Sequence, residues 1–284
     1  MPTFDEYRAL AADRSIVRLQ ETPPDLDRAL DHRGADEAAP GVGGQTVTHR
    51  WRRAALGSSL AALFAVASGC ASGPATPATP VAATPSLVET KREIAAYVDS
   101  GRYDAEVAVV AEQARAFLES RVPRSGKLAI VLDIDETALS NLPSLRANDW
   151  GFIVPGPCDL PRGPCGLLAW IGMARAEPIR PVLALARLAR ERGVGVFFLT
   201  GRPERVREAT ERNLRAAGYE WTGVLLKLDA LNVRSAVEFK APERKQLMDQ
   251  GYTVIVNVGD QMSDLEGGFA ERRYKLPNPF YFIP

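Results

Sequence analysis

A pair of acidic residues follows a short apolar segment near the middle of the chain. Residues 128–132 are all apolar, as expected for a strand that is buried on both faces, and Asp133 and Asp135 come next. Residues two apart on a strand point the same way, with Cα atoms about 6.6 Å apart, so the two carboxylates repel each other unless a cation or a shared proton relieves them. One can attack phosphorus while the other gives and takes a proton. Alternatively, the pair caps a helix together with Glu136 and Thr137.

Other polar residues follow two later apolar segments and lie beside the start of one helix. They are Thr200, Gly201 and Arg202 after residues 194–199, Lys240 beside a predicted helix, and Asp260 and Asp264 after residues 253–258. The carboxyl ends of parallel strands meet at one edge of a sheet, which is where such sheets bind ligands. The pattern therefore predicts one site at this edge, built from carboxylates, a hydroxyl and a lysine.

Helical and strand-like segments alternate from residue 87 onward. The predicted helices are residues 87–100, 104–121, 181–192, 204–217 and 242–250, and the predicted strands are residues 128–132, 194–199, 223–226 and 253–258. The helices have apolar residues at helical spacing, the strands are continuous apolar runs, and Gly218 is placed to end a helix. This order predicts an α/β fold with a Rossmann-like, doubly wound parallel sheet.

The composition limits which chemistry is available. The chain of 284 residues carries 35 basic and 35 acidic residues, so no excess of charge indicates nucleic acid as a partner. His32 and His49 are the only histidines, and both precede a segment that we expect to be removed. This inventory excludes a Ser-His-Asp hydrolase, a phosphatase with a histidine phosphoryl acceptor and a two-histidine zinc site. Catalysis must depend on carboxylates, lysine, arginine, hydroxyls or a metal bound by oxygen.

The region before the predicted fold has the features of an export signal. Residues 1–49 are polar without periodicity, and they are either a disordered extension or the product of a start codon placed too far upstream. Residues 50–70 begin with positive charges, continue with the apolar run 54–66 and end in small residues before Cys70, which resembles the lipobox of bacterial lipoproteins. Cys70 would then be lipidated, and the Pro/Ala/Thr-rich residues 71–86 would form a tether. The alternative is a short buried helix with a core cysteine.

Two further cysteines, Cys158 and Cys165, lie seven positions apart in a segment rich in proline and glycine. Neither is followed by arginine at the spacing of a cysteine-dependent phosphatase, and the two lack the close pairs of a zinc knuckle. If Cys70 carries lipid, they form an even pair in an oxidising compartment. They are then either a disulfide that closes a small loop or two free thiols.

The polar groups match a known set of motifs. The matching residues are Asp133-x-Asp135-x-Thr137, Thr200, Lys240 and Gly259-Asp260-x-x-x-Asp264. In this combination they resemble the four motifs of the haloacid dehalogenase superfamily. Four longer stretches are similar in sequence to the class B-like and class C acid phosphatases, namely residues 132–141, 198–202, 257–265 and 275–282. This branch includes bacterial outer-membrane lipoproteins and plant vegetative storage proteins. The resemblance spans residues 87–284 and implies a doubly wound sheet of the haloacid dehalogenase type, with a small cap insertion at about 141–178.

The resemblance implies a role for each matching residue. Asp133 would attack phosphorus and become an aspartyl-phosphate, and Asp135 would protonate the leaving alcohol and then activate water. A Mg²⁺ ion would be bound by the carboxylates of Asp133 and Asp260 and the backbone carbonyl of Asp135, with Asp264 in support. The residues expected to bind the phosphoryl oxygens are Thr200, Gly201 and Lys240.

Other residues near these motifs either contact the substrate or support the domain. The candidates for substrate contact in the cap are Asn141, Trp150 and Trp170. Each either faces the substrate or packs against its own domain. Arg202 either reaches the phosphate or pairs with a local carboxylate. The residues expected to have structural roles are Arg244 as a surface charge on its helix, and Asn278 and Tyr281 as anchors of the terminal segment.

The resemblance implies an exported, Mg²⁺-dependent acid phosphatase that hydrolyses phosphate monoesters, with nucleoside monophosphates as one option for the substrate. A lipid anchor would attach it to a membrane. Ala71 after Cys70 favours the outer membrane, facing the periplasm or the cell surface. Two alternatives remain, namely a non-catalytic surface lipoprotein on the same fold and a phosphotransferase that passes the phosphoryl group to an alcohol.

Overall fold

The computed structural model describes residues 84–122, 126–231 and 233–284. Cys70, the expected export signal and the N-terminal extension lie outside these residues, as does all but the end of the expected tether. Within the described ranges, no helix is both long and apolar enough to cross a membrane.

A five-stranded sheet forms the centre of the described domain. The strands are, in chain order, β1 (Lys127–Leu132), β2 (Leu139–Ser140), β3 (Glu177–Pro178), β4 (Gly195–Pro203), β5 (Gly223–Lys227), β6 (Tyr252–Gly259) and β7 (Arg272–Lys275). The central sheet has the order β5-β4-β1-β6-β7, and each neighbouring pair is parallel. The chain passes from β1 to β4 on one side and later to β6 on the other, so a topological switch point lies at the carboxyl end of β1. The predicted doubly wound sheet is confirmed.

The edge strand β7 was missed by the sequence analysis. Three of its four residues are exposed, because the strand has a neighbour on one side only. An exposed edge strand needs no apolar run, and charged side chains at an edge discourage pairing with other chains. The sequence pattern of buried strands therefore did not apply to it.

Helices connect the strands and cover the sheet. They are α1 (Leu87–Asp99), α2 (Arg102–Arg121), α3 (Leu142–Ala147), α4 (Leu167–Met173), α5 (Arg180–Glu191), α6 (Arg207–Ala216), α7 (Val237–Asp249) and α8 (Met262–Leu265), with a 3-10 turn at Glu204–Val206. Gly218 follows α6 with a φ of 85°, as predicted for a helix end. The sequence analysis started α7 at Pro242, whereas the helix begins at Val237. The earlier start places Lys240 in the first turn of α7.

Helix α2 shows how the layers are fixed to each other. Its buried residues recur at helical spacing, and they are Tyr103, Val107, Ala111, Ala114 and Leu118. The helix packs against α5 and β6, and α5 in turn contacts β1. Fully burying one aliphatic side chain stabilises the fold by about 1.5–3 kcal/mol. Contacts of this kind hold the strands that carry the acidic residues in fixed positions.

Arg244 was predicted to be a surface charge on its helix, and this prediction is wrong. Its side chain is fully buried. The guanidinium donates to the backbone carbonyls of Asp264 (2.7 Å) and Gly268 (3.0 Å), and also to that of Glu266. Burial lowers the pKa of Arg244 to about 10. Because buried carbonyls need donors, the guanidinium fixes the loop that carries Asp264.

An insertion between β2 and β3 occupies the predicted cap region. The two short strands pair antiparallel at its base, with Leu139 opposite Pro178. Helices α3 and α4 lie within the insertion. Cys158 and Cys165 form a disulfide in the loop between these helices, so the structure has the disulfide rather than two free thiols.

Candidate active site

The chain turns sharply after β1. Asp133 donates its backbone N–H to the carbonyl of Val258 in β6 (2.9 Å), which continues the sheet by one residue. Glu136 then adopts a left-handed backbone with a φ of 51°. Asp133 and Asp135 both line one pocket of about 250 Å³ at this end of the sheet. The two side chains thus face the same space, as predicted, although a turn rather than a strand brings this about.

Lys240 lies between two of the carboxylates. Its Nζ atom is 2.5 Å from Asp133 Oδ1 and 2.6 Å from Asp264 Oδ1, and only 3% of its side chain is exposed. Burial alone disfavours its charge, but the two carboxylates raise the pKa of Lys240. Burial raises the pKa of Asp133 well above its ordinary value, with Lys240 opposing the rise and Asp264 and Asp260 adding to it. A cation at this point is needed to keep several acidic groups together.

Asp133, Asp260 and Asp264 form a buried cluster whose oxygen atoms lie within 4.8 Å of one another. Asp260 accepts hydrogen bonds from Gln261 Nε2 (2.7 Å) and Asn278 Nδ2 (2.5 Å). Burial, reinforced by the charge of Asp264, raises the pKa of Asp260 to about 7. Hard divalent cations prefer carboxylate oxygens of this kind, so the donor set fits Mg²⁺ or a similar ion.

Asp135 has different partners from Asp133. The guanidinium of Arg202 donates to it from Nη2 (2.7 Å) and Nε (3.1 Å), and Arg202 is itself buried. Burial would raise the pKa of Asp135, but Arg202 and the donor Asn141 together lower it below its ordinary value. Of the two interpretations of Arg202, the structure shows the pair with a local carboxylate.

Gly201 lines the pocket beside Arg202, whereas Thr200 does not. The Thr200 side chain is fully buried, and its hydroxyl accepts the backbone N–H of Arg202 (3.1 Å). Its contact with a phosphoryl group stays a prediction. In the structure, Thr200 shapes the end of β4 and thereby places the residue that holds Asp135.

A buried hydrogen-bond network continues behind Asp135. Asn141 Nδ2 donates to Asp135 (2.8 Å) and Glu136 (2.9 Å), and Asn141 Oδ1 accepts from Trp170 Nε1 (2.8 Å). The Tyr281 hydroxyl donates to the other side of the network, at Glu136 Oε2 (2.8 Å). Burial, reinforced by the charge of Asp135, raises the pKa of Glu136 to about 7. Asn141 thus supports Asp135 and Trp170 supports Asn141, neither lines the pocket, and their contact with substrate stays a prediction.

Trp150 also packs against its own domain. Its ring stacks on Phe280 with centroids 5.7 Å apart, and it does not line the pocket. Asn278 and Tyr281, which we expected only to anchor the terminal segment, bond to Asp260 and Glu136. The sequence signal that pointed to both residues was their place in segment 275–282, which is similar in sequence to the acid phosphatases. Asn278 and Tyr281 within that segment were nevertheless predicted to have only a structural role.

Part of the pocket lining is apolar. We call the following lining side chains the apolar wall: Phe152, Val154, Leu167, Leu168, Ile171 and Ile283. All but Ile283 come from the cap insertion. No sequence pattern identified these residues, because the segment around them has neither helical nor strand periodicity.

The doubly wound α/β sheet places the buried acidic residues at its switch point, where such sheets bind ligands, and comparisons with known proteins specify the family. The model of the haloacid dehalogenase superfamily, subfamily IIIB (acid phosphatase), matches residues 59–284. The chain belongs to this acid phosphatase family of the haloacid dehalogenase superfamily.

Individual relatives agree with the family. Acid phosphatase 1 of Solanum lycopersicum is 31% identical over 66% of this chain and 72% of its own length. Vegetative storage protein 2 of Arabidopsis thaliana is 30% identical over 66% of this chain and 69% of its own. The structure of the class C acid phosphatase from Bacillus anthracis with tungstate bound has a TM-score of 0.53 at 20% identity, covering 68% of this chain and 86% of that one. This last likeness supports the fold.

Proposed function

We propose that this acid phosphatase hydrolyses phosphate monoesters through a phosphorylated aspartate, with Asp133 as the nucleophile. The observation that carries the proposal is the position of Asp133. This residue directly follows the central strand β1, at the switch point of the sheet, and it lines the pocket. Its carboxylate is held by Lys240 at 2.5 Å. In the first step Asp133 forms a bond to phosphorus as the ester P–O bond breaks, and in the second step water displaces the aspartate.

Asp135 serves both steps as the proton carrier. It passes a proton to the leaving oxygen in the first step and takes one from the attacking water in the second. Arg202 and Asn141 hold the Asp135 carboxylate in one orientation, which such transfers require. The phosphoryl oxygens lie, in this proposal, against Lys240 and the backbone of Thr200 and Gly201.

Asp133, Asp260 and Asp264 are the residues that would hold a Mg²⁺ ion, together with the backbone carbonyl of Asp135. A bound Mg²⁺ supplies positive charge that offsets the charge of the phosphoryl oxygens. The test reads out stability as well as activity. Because a ligand present at 100 times its Kd stabilises the folded state by about 2.7 kcal/mol, we expect Mg²⁺ to raise the melting temperature. Asp260→Asn should lose this rise, and a rise of the same size in the variant would contradict the assignment.

The nucleophile is tested by phosphate release from an aryl phosphate, with Mg²⁺, with EDTA and in Asp133→Asn. We expect metal-dependent release in the unchanged protein and none in the variant. Acid-quenched wild-type protein should carry one phosphoryl group on the peptide that contains Asp133. Absence of release with every ester and metal would favour the non-catalytic alternative. A phosphorylated product from an added acceptor alcohol would favour the phosphotransferase.

We further propose that the protein is exported and anchored through lipid on Cys70. The proposal is supported by the residues before Cys70 and by a disulfide, which persists in oxidising compartments. In cells, Cys70→Ala should move the phosphatase activity from the membrane fraction to the soluble fraction. The matched substitution Cys158→Ala should leave it at the membrane. Equal membrane association of the two variants would reject the anchor.

A further inference from the structure

The apolar wall lines the same pocket as the acidic residues. Phe152 lies against Tyr281 with ring centroids 4.4 Å apart, and Ile171 is almost fully buried where it borders the pocket. We propose that this site prefers phosphate monoesters whose leaving group is a compact, apolar alcohol or phenol. This inference rests on the proposed function, because it concerns the group that departs from phosphorus.

The polar side chains of the pocket are already engaged. Gln261 donates to Asp260 (2.7 Å) and accepts from the backbone of Ile283 (3.2 Å), while the Tyr281 hydroxyl donates to Glu136. Arg202 is occupied by Asp135. These donors of Gln261, Tyr281 and Arg202 are therefore taken, and the six side chains of the apolar wall carry no group that could replace the water lost by a hydroxyl on the leaving group. Burying such a hydroxyl without a partner is unfavourable.

The wall is held in place before any substrate binds. The backbone N–H of Leu167 donates to Ile153 (2.8 Å), which ties the loop bearing Phe152 and Val154 to the start of α4. The other end of the loop is fixed by the Cys158–Cys165 disulfide. A preformed apolar surface binds apolar groups without an ordering cost, so it discriminates between leaving groups rather than adapting to them.

The size of the pocket favours a compact group. Its volume of about 250 Å³ has to contain the phosphate as well as the leaving group. Pockets that enclose drug-sized ligands range from about 300 to 1,000 Å³. A short alkyl chain or a single ring suits the remaining space better than a whole nucleoside.

The test uses a series of n-alkyl phosphates from methyl to butyl, whose leaving groups differ little in reactivity. With the wild-type protein and Mg²⁺, we expect kcat/KM to rise by about 2- to 4-fold for each added methylene that is buried. Glycerol phosphate should be a poorer substrate than propyl phosphate by about 10- to 100-fold, because it differs mainly by its hydroxyls. Nucleoside monophosphates should fall below butyl phosphate.

Two variants assign the preference to the wall. Val154→Asn and Leu168→Asn should flatten the rise in kcat/KM from methyl to butyl phosphate. The matched controls Val109→Asn and Leu87→Asn, on exposed positions of α2 and α1, should keep the wild-type rise. Because Val154 is also exposed, its variant is expected to fold.

The outcomes separate the two proposals. Hydrolysis of every ester with no dependence on chain length, or a nucleoside monophosphate better than butyl phosphate, would overturn the inference and leave the phosphatase intact. Failure to hydrolyse any ester would instead overturn the proposed function. A rise that persists in both wall variants would also reject the inference, because the preference would then originate elsewhere.

Discussion

The two sides of the pocket are built in different ways. The acidic side, which we call the floor, consists of Asp133, Asp135, Lys240, Asp260 and Asp264. These residues follow the ends of β1 and β6, except for Lys240 in the first turn of α7 and Asp264 in α8. The apolar wall comes mainly from an insertion fixed by a disulfide. In the two proposals above, the sheet supplies the reacting groups and the insertion selects the ester. Variants of the floor should lower turnover of all esters alike, whereas variants of the wall should change one ester relative to another.

The largest effect is expected for Lys240→Met. It leaves Asp133 and Asp264 buried without their shared cation, and removing one partner of a buried ion pair costs about 3–5 kcal/mol of the free energy of unfolding. We also expect kcat to fall by at least about 10²-fold for methyl and butyl phosphate equally, because a charge at the phosphoryl group is lost. Lys245→Met on the same helix loses only a surface pair with Asp249 and should change neither quantity appreciably. Denaturant unfolding and steady-state kinetics measure both.

A smaller loss is expected for Arg202→Met, which removes the cation that lowers the pKa of Asp135. We expect kcat to fall by about 10- to 100-fold, which is less than the loss of about 10²- to 10⁴-fold for removing a general acid–base group outright, because Asp135 itself is retained. Since Arg202 favours the ionised form, its removal raises the pKa of Asp135. The limb of the pH–rate profile that reports Asp135 should therefore move to higher pH.

Arg205→Met is the matched control, because it also removes an arginine that pairs with a carboxylate, but Arg205 and Asp229 lie at the surface. Arg202→Lys keeps the charge without the two-pronged geometry and should give an intermediate rate. An unshifted pH profile in Arg202→Met would mean that another group carries the proton.

Asn141→Ala tests whether the network behind Asp135 positions that carboxylate. The change leaves Trp170 Nε1 without its acceptor and Asp135 without one donor, and we expect a loss of about 1–3 kcal/mol in stability. We expect kcat to fall by about 10-fold with little change in KM, because the orientation of Asp135 relaxes. Asn213 is a matched control, since it is also buried but bonds to the backbone of Ala176. Asn213→Ala should lose stability without losing kcat, and equal kcat losses would show that Asn141 acts through folding alone.

The smallest effect on turnover is expected from the double variant Cys158→Ser with Cys165→Ser. Opening this short loop should lower stability by about 2–3 kcal/mol in the chain-entropy account. We expect methyl phosphate turnover to be unchanged and KM for butyl phosphate to rise about 2- to 5-fold, because part of the wall loosens. An equal change for both esters would break the distinction between floor and wall.

The floor was predictable from sequence because buried parallel strands have a clear signature. Apolar runs marked β1, β4 and β6, and the polar residues that follow such runs must meet at one edge of the sheet. The partners within the floor were harder to assign. The sequence could not decide whether Arg202 reaches the phosphate or pairs with a carboxylate. Its partner Asp135 lies 67 positions earlier in the chain, and only the folded structure brings the two side chains together.

The wall and the supporting network were not predictable by the same reasoning. The insertion is stabilised by single contacts, such as Asn148 with the backbone of Cys165, rather than by a repeating pattern. Arg244 was predicted to be exposed because arginine is seldom buried, and its acceptors are carbonyls that follow it by 20 or more positions. Local propensity does not contain such distant partners.

The segment that bears Asn278 and Ile283 has a consequence for the timing of folding. Asn278 bonds to Asp260, and the backbone of Ile283 bonds to Gln261 and Ser263. Ile283 lies 150 positions after Asp133. At about 5–20 residues per second, a ribosome needs roughly 8 to 30 s to travel from one to the other. A growing chain therefore carries Asp133 for many seconds before Asn278 and Ile283 exist, and phosphatase activity should not appear until this segment has been made.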